Sequence, residues 1–325
     1  MTFSDLLDSF TTLDLCVIGD VMLDEYLFGK ATRISVEAPV MVVRQDSRKC
    51  VPGGAANVAM NVGALGASTS VVGVASQDDA GRDLAASLAV LPIRDGLVYH
   101  EGRATTRKTR IVANHSHQVL RIDHETDEPI GADLGWKVSA EVEKNVHGSS
   151  GVLVSDYRKG VLTAQVIKTT MAAAALAKVP VFVNAKPESA ASYEGAELLS
   201  LNRPEASGCL GRAVTSREDA MTGAEELRMK LGVNGVVITL GDDGFVVNHK
   251  AGKISLRPPQ IEAYDAAGAG DTTIAAIALG MASRGFNPRV FEFAIEVAAR
   301  VVKRVGVVTP NAADLSEIRA LDGTG

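Results

Sequence analysis

The chain has 325 residues, of which 46% are hydrophobic and 22% charged, with a formal net charge of -6. These proportions are those of a globular protein with a sizeable core, and they argue against a disordered chain. Because nucleic-acid binders need a net basic footprint, the acidic balance argues against nucleic acid as a partner. Cys16, Cys50 and Cys209 are too few and too scattered for a disulfide framework or a thiolate metal site.

The N-terminal segment does not have the pattern of a signal peptide, because Asp5 and Asp8 interrupt it. No run approaches the roughly 18 apolar residues that a membrane span needs. The six histidines form no HxxxH pair, so no zinc site is predicted. Together with the few cysteines, these features predict a cytoplasmic protein with no membrane partner.

Short apolar runs alternate with helical patterns along the chain. The runs lack polar alternation, which is typical of strands buried on both faces. This rhythm predicts an α/β fold, with a mostly parallel central sheet and helices on both faces. The predicted strands are residues 15–18, 71–74, 152–154, 179–183, 198–201 and 236–240, and the predicted helices are residues 55–65, 164–176, 220–231 and 272–282.

Two segments, residues 24–45 and 97–123, interrupt this rhythm. Each contains strand-like alternation, as in Met41–Arg44 and Thr109–Val112, and we expect no helix directly after either. They predict a small antiparallel sheet that stands off the main one as a lid or a dimer contact. Since no linker or repeat is visible, we expect one domain over residues 1–325.

Polar residues follow several predicted strands. Ligands of open α/β sheets bind beyond the carboxyl ends of the strands, so these residues predict a site along one edge. Aspartate and asparagine are also common there as turn formers and helix caps, which is the alternative for each of them. The residues are Asp20, Asp156, Asn184, Asn202 and Gly241.

The strongest motif is the run from Asp265 to Thr272, which precedes an apolar helix. Gly268 and Gly270, on either side of Ala269, permit a tight turn that presents backbone N–H groups. With the helix N-terminus they predict an anion hole for a transferring phosphoryl group. Asp271 is placed to accept a proton from a hydroxyl, and we expect the helix N-terminus to favour its charged form without a raised pKa. The alternative is an ordinary glycine turn with a capping aspartate.

Three weaker motifs accompany it. Gly53 and Gly54 permit a close approach of backbone to ligand, and Asn57 follows one turn later; the alternative is a plain loop-to-helix turn. Asn202 and Glu205 can hold water around a magnesium ion on nucleotide phosphates, or form a helix capping box. The third motif is a nucleotide loop, a hairpin turn or both. Its residues are Thr239, Gly241 and Gly244.

Several basic residues are candidates for binding an anionic substrate, although most charged side chains in proteins are merely solvated. Lys108 and Arg110 share a face if their segment is a strand. The full set is Arg33, Arg107, Lys108, Arg110, Lys159 and Lys186.

The order of these motifs resembles the ribokinase-like (phosphofructokinase-B type) family of sugar kinases, over about residues 15–310. The resemblance implies a ribokinase-like fold with a β lid, ATP and magnesium as cofactors, and a homodimer through the lid. The strings Gly19–Tyr26, Arg33–Val40 and Ser155–Gly160 are similar to the heptose 7-phosphate kinases of that family. These phosphorylate the anomeric hydroxyl of D-glycero-D-manno-heptose 7-phosphate for ADP-heptose and lipopolysaccharide synthesis. The chain length implies a form without a fused adenylyltransferase.

The resemblance also implies roles for individual residues. Asp271 is the expected base, and Gly268, Ala269 and Gly270 form the expected anion loop. Residues expected at the sugar are Asp20, Asp24, Arg33, Gly53, Gly54, Asn57, Asp156 and Lys159, and those expected at its 7-phosphate are Lys108, Arg110 and Lys186. Residues expected at ATP are Asn202, Glu205, Thr239, Gly241, Gly244 and Asp265, of which Asn202 and Glu205 are also expected to organise magnesium through water.

Two departures from the family pattern concern the site. Ala267 replaces a threonine before Gly268, and Asn184 replaces an aspartate before Lys186. The expected activity is therefore an ATP-dependent sugar-phosphate kinase. The alternatives are a kinase of another sugar, such as ribose, fructose or a hexose phosphate, and a catalytically silent sugar-binding protein.

Overall fold

The computed structural model describes residues 1–114, 117–260 and 264–323. In chain order the strands are β1 (Asp14–Gly19), β2 (Val21–Ile34), β3 (Met41–Gly54), β4 (Ser68–Ala75), β5 (Ile93–Tyr99), β6 (Arg107–Ala113), β7 (His117–His124), β8 (Gly151–Ser155), β9 (Val181–Asn184), β10 (Leu198–Asn202), β11 (Gly235–Thr239), β12 (Phe245–His249) and β13 (Gly252–Leu256). The α-helices are α1 (Phe3–Phe10), α2 (Ala55–Ala64), α3 (Asp79–Leu88), α4 (Ala132–Val146), α5 (Ala164–Ala177), α6 (Arg203–Leu210), α7 (Arg217–Leu231), α8 (Ala269–Arg284), α9 (Pro288–Val301) and α10 (Ala312–Ala320).

The central sheet has nine strands in the order β13-β12-β11-β10-β9-β8-β1-β4-β5. From β5 to β11 all neighbours pair in parallel, whereas β11, β12 and β13 pair antiparallel. The predicted parallel sheet is therefore confirmed. Its parallel register places the residues that follow β1, β8, β9 and β10 at one edge of the sheet, as the polar strand ends predicted.

The core divides into two apolar layers, one on each face of the sheet. Successive side chains of a strand point to opposite faces, so Leu153 of β8 packs in the layer of α1, α2, α8 and α9. Its neighbours Val152 and Val154 pack in the layer of α4, α5 and α7. Because both faces are covered, the central strands have the continuous apolar sequences that predicted them.

The second sheet, which we call the lid, has four strands in the order β3-β2-β6-β7. β2 and β3 form a long antiparallel hairpin, β6 pairs parallel to β2, and β7 pairs antiparallel to β6. The structure corrects the predicted lid boundaries. The first segment extends over residues 21–54 rather than 24–45. The second begins at Arg107, because residues 97–99 belong to β5 of the central sheet. Residues 115 and 116, also in the predicted second segment, lie outside the described residues.

Two glycine-containing turns lie at the carboxyl edge of the sheet, near the site. Helix α8 begins at Ala269, three residues before the predicted start, because Gly268 has a left-handed backbone (φ 81°) that ends the preceding loop. The Leu240 N–H donates to the Gly244 carbonyl and closes the turn between β11 and β12, which confirms the hairpin interpretation of that motif.

No helix in the described part of the chain is long and apolar enough to span a membrane.

We predict that Leu153→Ala lowers the free energy of unfolding by about 2–5 kcal/mol, because Leu153 is fully buried in a central strand and truncation leaves a cavity. The matched control is Leu176→Ala on α5, where the leucine is 87% exposed and the change is expected to stay within about 0.5 kcal/mol. Urea unfolding monitored by circular dichroism measures both. Equal effects of the two substitutions would contradict this account of the core.

Candidate active site

The centre of the site is the carboxylate of Asp271, in the first turn of α8. It is buried, and each of its oxygens accepts one side-chain hydrogen bond. The Asn57 amide donates to Oδ2 over 2.8 Å, and the Tyr157 hydroxyl donates to Oδ1 over 2.8 Å. The structure therefore brings Asp271 and Asn57 together, although 214 positions separate them.

The loop before Asp271 turns sharply into α8. Gly268 turns the backbone, and a Cβ there would lie 3.1 Å from the Asn57 amide nitrogen. A Cβ at Gly270 would meet nothing within 4 Å, so the loop is open on this side. The first N–H groups of a helix have no partner inside the helix, so the start of α8 offers donors to a negatively charged group.

The Gly53–Gly54 pair permits close packing between the lid and α2. A Cβ at Gly53 would lie 2.3 Å from the Asp24 carboxylate, and Gly54 has a left-handed backbone (φ 57°). Glycine is needed at Gly53 because a side chain would collide with Asp24, and at Gly54 because the backbone is left-handed. As a result, Asp24 of β2 lies against the start of α2, the helix that carries Asn57.

Burial raises the pKa of Asp271 to about 6, although the Asn57 and Tyr157 hydrogen bonds and nearby Lys186 lower it, and nearby Asp24 raises it. The expectation that the helix N-terminus leaves this pKa unraised is therefore wrong. Removal of the carboxylate from water outweighs the donors that favour its charged form. The charged form of Asp271 accordingly predominates above about pH 6 and is lost as the pH falls.

Two carboxylates predicted to bind the sugar accept hydrogen bonds from the backbone. Asp20 accepts the N–H groups of Tyr157, Lys159 and Val161, and is 1% exposed. Asp156 accepts the Arg158 N–H and is also buried. These carboxylates hold the loop after β8, and their contact with the sugar stays a prediction. Asp24 remains at the site and forms an ion pair with Arg110.

Asp265 was predicted at ATP, but its two oxygens accept the N–H groups of Ala267 and Gly306. It therefore fixes the anion loop against the segment that follows α9. Its contact with ATP stays a prediction.

Asn202 and Glu205 form the capping box that was the alternative interpretation. The Asn202 side chain accepts the Glu205 N–H over 2.9 Å, and Glu205 Oε2 accepts the Asn202 N–H over 2.7 Å. The other Glu205 oxygen pairs with Lys186. Both carboxylate oxygens of Glu205 thus have protein partners, and the binding of magnesium through water by these two residues stays a prediction. No cluster of three or more metal-binding His, Cys, Asp or Glu residues occurs in the described ranges.

The predicted cations lie in separate ion pairs rather than in one phosphate pocket. Lys108 and Lys159 both contact Glu125, over 2.7 and 2.9 Å. Lys186 pairs with Glu205 and lies 5.3 Å from the centre of the Tyr157 ring. The prediction that Lys108, Arg110 and Lys186 converge on one phosphate is therefore not met by this geometry.

Arg33 lies near the tip of the β2–β3 hairpin and is exposed. At a strand rise of about 3.3 Å per residue, nine residues place it roughly 30 Å from Asp24. It does not contact the site of its own chain, which corrects that prediction.

At the predicted nucleotide loop, Gly241 and Gly244 both have left-handed backbones (φ 61° and 81°). Gly244 is required, since a Cβ there would lie 2.2 Å from the Leu256 carbonyl. Thr239 ends β11 beside Asn202, its partner in the register of β10 and β11. The loop and the start of α6 thus lie side by side at the carboxyl edge of the sheet.

Comparison of the sequence with models of protein families identifies the family of this chain. Residues 12–314 match the model of the pfkB family of carbohydrate kinases. The chain belongs to this family. Membership places it among the phosphotransferases that use a sugar hydroxyl as acceptor, as the motif order predicted.

Curated relatives agree with this family. The chain is 36% identical over 322 residues to the bifunctional protein HldE of Pelobacter propionicus, covering 98% of this chain and 66% of the relative. It is 37% identical over 313 residues to that of Caulobacter vibrioides, covering 95% of this chain and 64% of the relative. The chain thus spans just under two thirds of the length of these relatives.

Solved structures show the same fold. Phosphofructokinase-2 of Escherichia coli in complex with potassium superimposes with a TM-score of 0.80 at 19% identity, covering 96% of this chain and 99% of that one. Arabidopsis thaliana ribokinase complexed with ribose and ATP gives 0.72 at 20% identity, covering 94% and 98%. The ribokinase-like fold class is therefore confirmed.

Sequence reasoning assigned no role to two residues of this pfkB-family site. Tyr157 follows the buried strand β8 by two positions, and that spacing was the available signal. Lys49 lines a cavity of about 240 Å³ together with Asn57 and Thr309. The part of the chain that the structure describes shows no ion pair of Lys49. Its cross-strand partner is the buried Tyr26, which only the hairpin register reveals.

We predict that the Asp271 carboxyl group titrates with a midpoint of about pH 6, because burial favours its neutral form. Carbon-13 NMR of protein labelled at aspartate measures the titration, and the spectrum of Asp271→Asn assigns the resonance. A midpoint near the ordinary aspartate value of about 3.9 would contradict the buried environment described here.

Proposed function

We propose that this chain transfers the γ-phosphoryl group of ATP to the anomeric hydroxyl of D-glycero-D-manno-heptose 7-phosphate, as a step towards ADP-heptose and lipopolysaccharide. The observation that carries the kinase chemistry is the Asp271 carboxylate at the open anion loop of α8. The heptose specificity rests on the sequence strings shared with heptose 7-phosphate kinases, and it agrees with the relatives named HldE.

In the proposed mechanism, Asp271 accepts the proton of the attacking hydroxyl as the new phosphorus–oxygen bond forms. The N–H groups at the start of α8, next to Gly268 and Gly270, stabilise negative charge on the transferring group. Asn57 holds one oxygen of the base in a fixed direction, so most of the catalysis is positioning and electrostatics. The lid excludes water, which limits wasteful hydrolysis of ATP. ATP enters with magnesium as part of the substrate, and no step is assigned to a protein-bound metal.

A different acceptor is the second candidate, and one observation favours it. Lys108 and Lys186 are engaged by Glu125 and Glu205 in separate pairs, so a 7-phosphate has to displace one of these carboxylates. An acceptor that lacks the 7-phosphate, such as fructose or ribose, is therefore the alternative to test.

We predict that Asp271→Asn lowers kcat at least about 100-fold with heptose 7-phosphate while ATP still binds, because the base is lost and the fold remains. ADP release measures turnover and calorimetry measures ATP binding. The acceptor panel is heptose 7-phosphate, sedoheptulose 7-phosphate, fructose 6-phosphate, fructose and ribose. Asp79→Asn, at an exposed aspartate of α3, is the matched control and should leave turnover unchanged.

Each outcome of the panel separates the proposals. Turnover of heptose 7-phosphate alone supports the proposed specificity. Turnover of a neutral sugar alone agrees with Asp271 as the base but contradicts the specificity for a phosphorylated acceptor. Wild-type turnover by folded Asp271→Asn would remove Asp271 as the base. ATP binding without turnover of any acceptor would favour a silent sugar-binding protein.

We further propose that the chain forms a homodimer through the lid. Leu120 and Ile122 of β7 are each about half exposed, and Ile34 at the hairpin tip is 59% exposed. Exposed apolar side chains grouped on one small sheet are typical of an interface.

We also propose a cytoplasmic location. The three cysteines carry free thiols, which supports the location predicted from the sequence.

We predict that the double substitution Leu120→Glu and Ile122→Glu converts a dimer to a monomer, because it buries charge in the proposed interface. Sedimentation velocity measures the mass. The control is Val90→Glu, at a 78% exposed valine outside the lid. A wild-type protein with the mass of a single chain would contradict the proposal, as would a double variant that stays dimeric.

A further inference from the structure

The loop after β8 places a tyrosine directly on the candidate base. Tyr157 is partly buried, and its hydroxyl donates to Asp271 Oδ1 over 2.8 Å. The proposed mechanism assigns roles to Asp271, Asn57 and the anion loop but none to the Tyr157 hydroxyl. The contact joins groups that are 114 positions apart in the chain, so it depends on the folded arrangement of two loops.

The two oxygens of Asp271 are supported differently. On the Oδ2 side, Asn57 is itself fixed: Asn61 donates to the Asn57 carbonyl over 2.8 Å, and Thr272 donates to Asn61 over 2.7 Å. This network lies inside the packing of α2 against α8. Within the described residues, the side-chain donor on the Oδ1 side is Tyr157 alone. The direction of Oδ1 therefore depends on the Tyr157 hydroxyl.

Tyr157 is in turn held from two directions. Its backbone N–H donates to the buried Asp20 carboxylate over 2.9 Å. The Lys186 ammonium lies 5.3 Å from the centre of its ring, a distance at which a cation is attracted to an aromatic face. Lys186 also pairs with Glu205 at the start of α6. The tyrosine thus lies between the base and the elements proposed to bind the nucleotide.

The tyrosine hydroxyl keeps its proton at working pH. Burial and the neighbouring Asp271 charge raise the pKa of Tyr157 well above its ordinary value. Tyr157 therefore acts as a hydrogen-bond donor and does not compete with Asp271 for the proton of the acceptor. A donor of this kind stabilises the charged carboxylate, which is the form that a base requires.

We propose that Tyr157 is a positioning residue that aims Asp271 Oδ1 at the acceptor hydroxyl and keeps this carboxylate in its charged, basic form. The inference rests on the proposed function only in taking Asp271 as the base. Loss of the tyrosine hydroxyl leaves Asp271 buried with one donor instead of two, so its charged form becomes less favourable.

The test is Tyr157→Phe, which removes the hydroxyl and keeps the ring. We expect kcat to fall about tenfold and the acidic limb of kcat/KM to move to higher pH by about one unit, since a hydrogen bond to a charged group is lost. The matched control is Tyr99→Phe, since Tyr99 also donates to an aspartate, Asp95, over 3.0 Å, but on the central sheet away from the site. The control should leave both quantities unchanged.

A second measurement does not depend on turnover. In aspartate-labelled protein, the Asp271 titration midpoint should move upward in Tyr157→Phe and stay in place in Tyr99→Phe. Replacing the tyrosines with 3-fluorotyrosine keeps the fold of the native chain and makes each hydroxyl a stronger donor. The Asp271 midpoint should then move in the opposite direction, to lower pH.

The outcomes separate this inference from the proposed function. An unchanged midpoint and acidic limb in Tyr157→Phe would overturn the positioning role while the kinase stands. A raised KM with an unchanged limb would also overturn it, by assigning Tyr157 to acceptor binding. If the wild type phosphorylates no acceptor, the proposed function fails, and the NMR titration still decides whether Tyr157 controls Asp271.

Discussion

The arrangement described here depends on one buried carboxylate. Asp271 is removed from water inside the junction of the lid, α2 and α8, and that removal opposes its charge. The structure offsets the penalty with directed donors rather than with a neighbouring cation in contact. This choice explains why so much of the surrounding polar structure is interior: Asn57, Asn61 and Thr272 form a chain of side-chain hydrogen bonds. A base held in this way is fixed in direction, which a solvated aspartate is not.

The elements around the base have distinct tasks. Glycines provide room: Gly53 lets the lid approach, and Gly268 lets the anion loop turn. Two carboxylates fix the conformation of loops, because Asp20 and Asp265 each accept hydrogen bonds from two or more backbone N–H groups. Basic residues at and near the lid pair with carboxylates. Glu125, which directly follows β7, contacts both Lys108 of β6 and Lys159 of the loop after β8. The positive charge visible in the sequence is therefore largely neutralised in the folded chain, and an anionic acceptor has to compete for it.

Much of this was predictable from sequence. Continuous apolar runs predicted the parallel sheet because both of its faces are covered. The Gly-Ala-Gly-Asp run predicted a turn into a helix, which begins three residues earlier than expected. Contacts between distant residues were not predictable from the sequence. Asp20 and a sugar-binding aspartate look alike in sequence, and only the fold places three N–H groups around Asp20. The pKa of Asp271 was misjudged for the same reason, since burial is a property of the packed chain. Tyr157 carried little signal beyond its position after a strand.

The sequence separation within the site has a consequence for biosynthesis. Asn57 and Asp271 meet across 214 positions of sequence. As the chain leaves the ribosome, the lid hairpin and α2 emerge well before the anion loop. A partly synthesised chain therefore has lid strands and apolar side chains but no base and no anion loop. Contacts of such long range form slowly, so the exposed lid is the part of the nascent protein that most needs protection from aggregation.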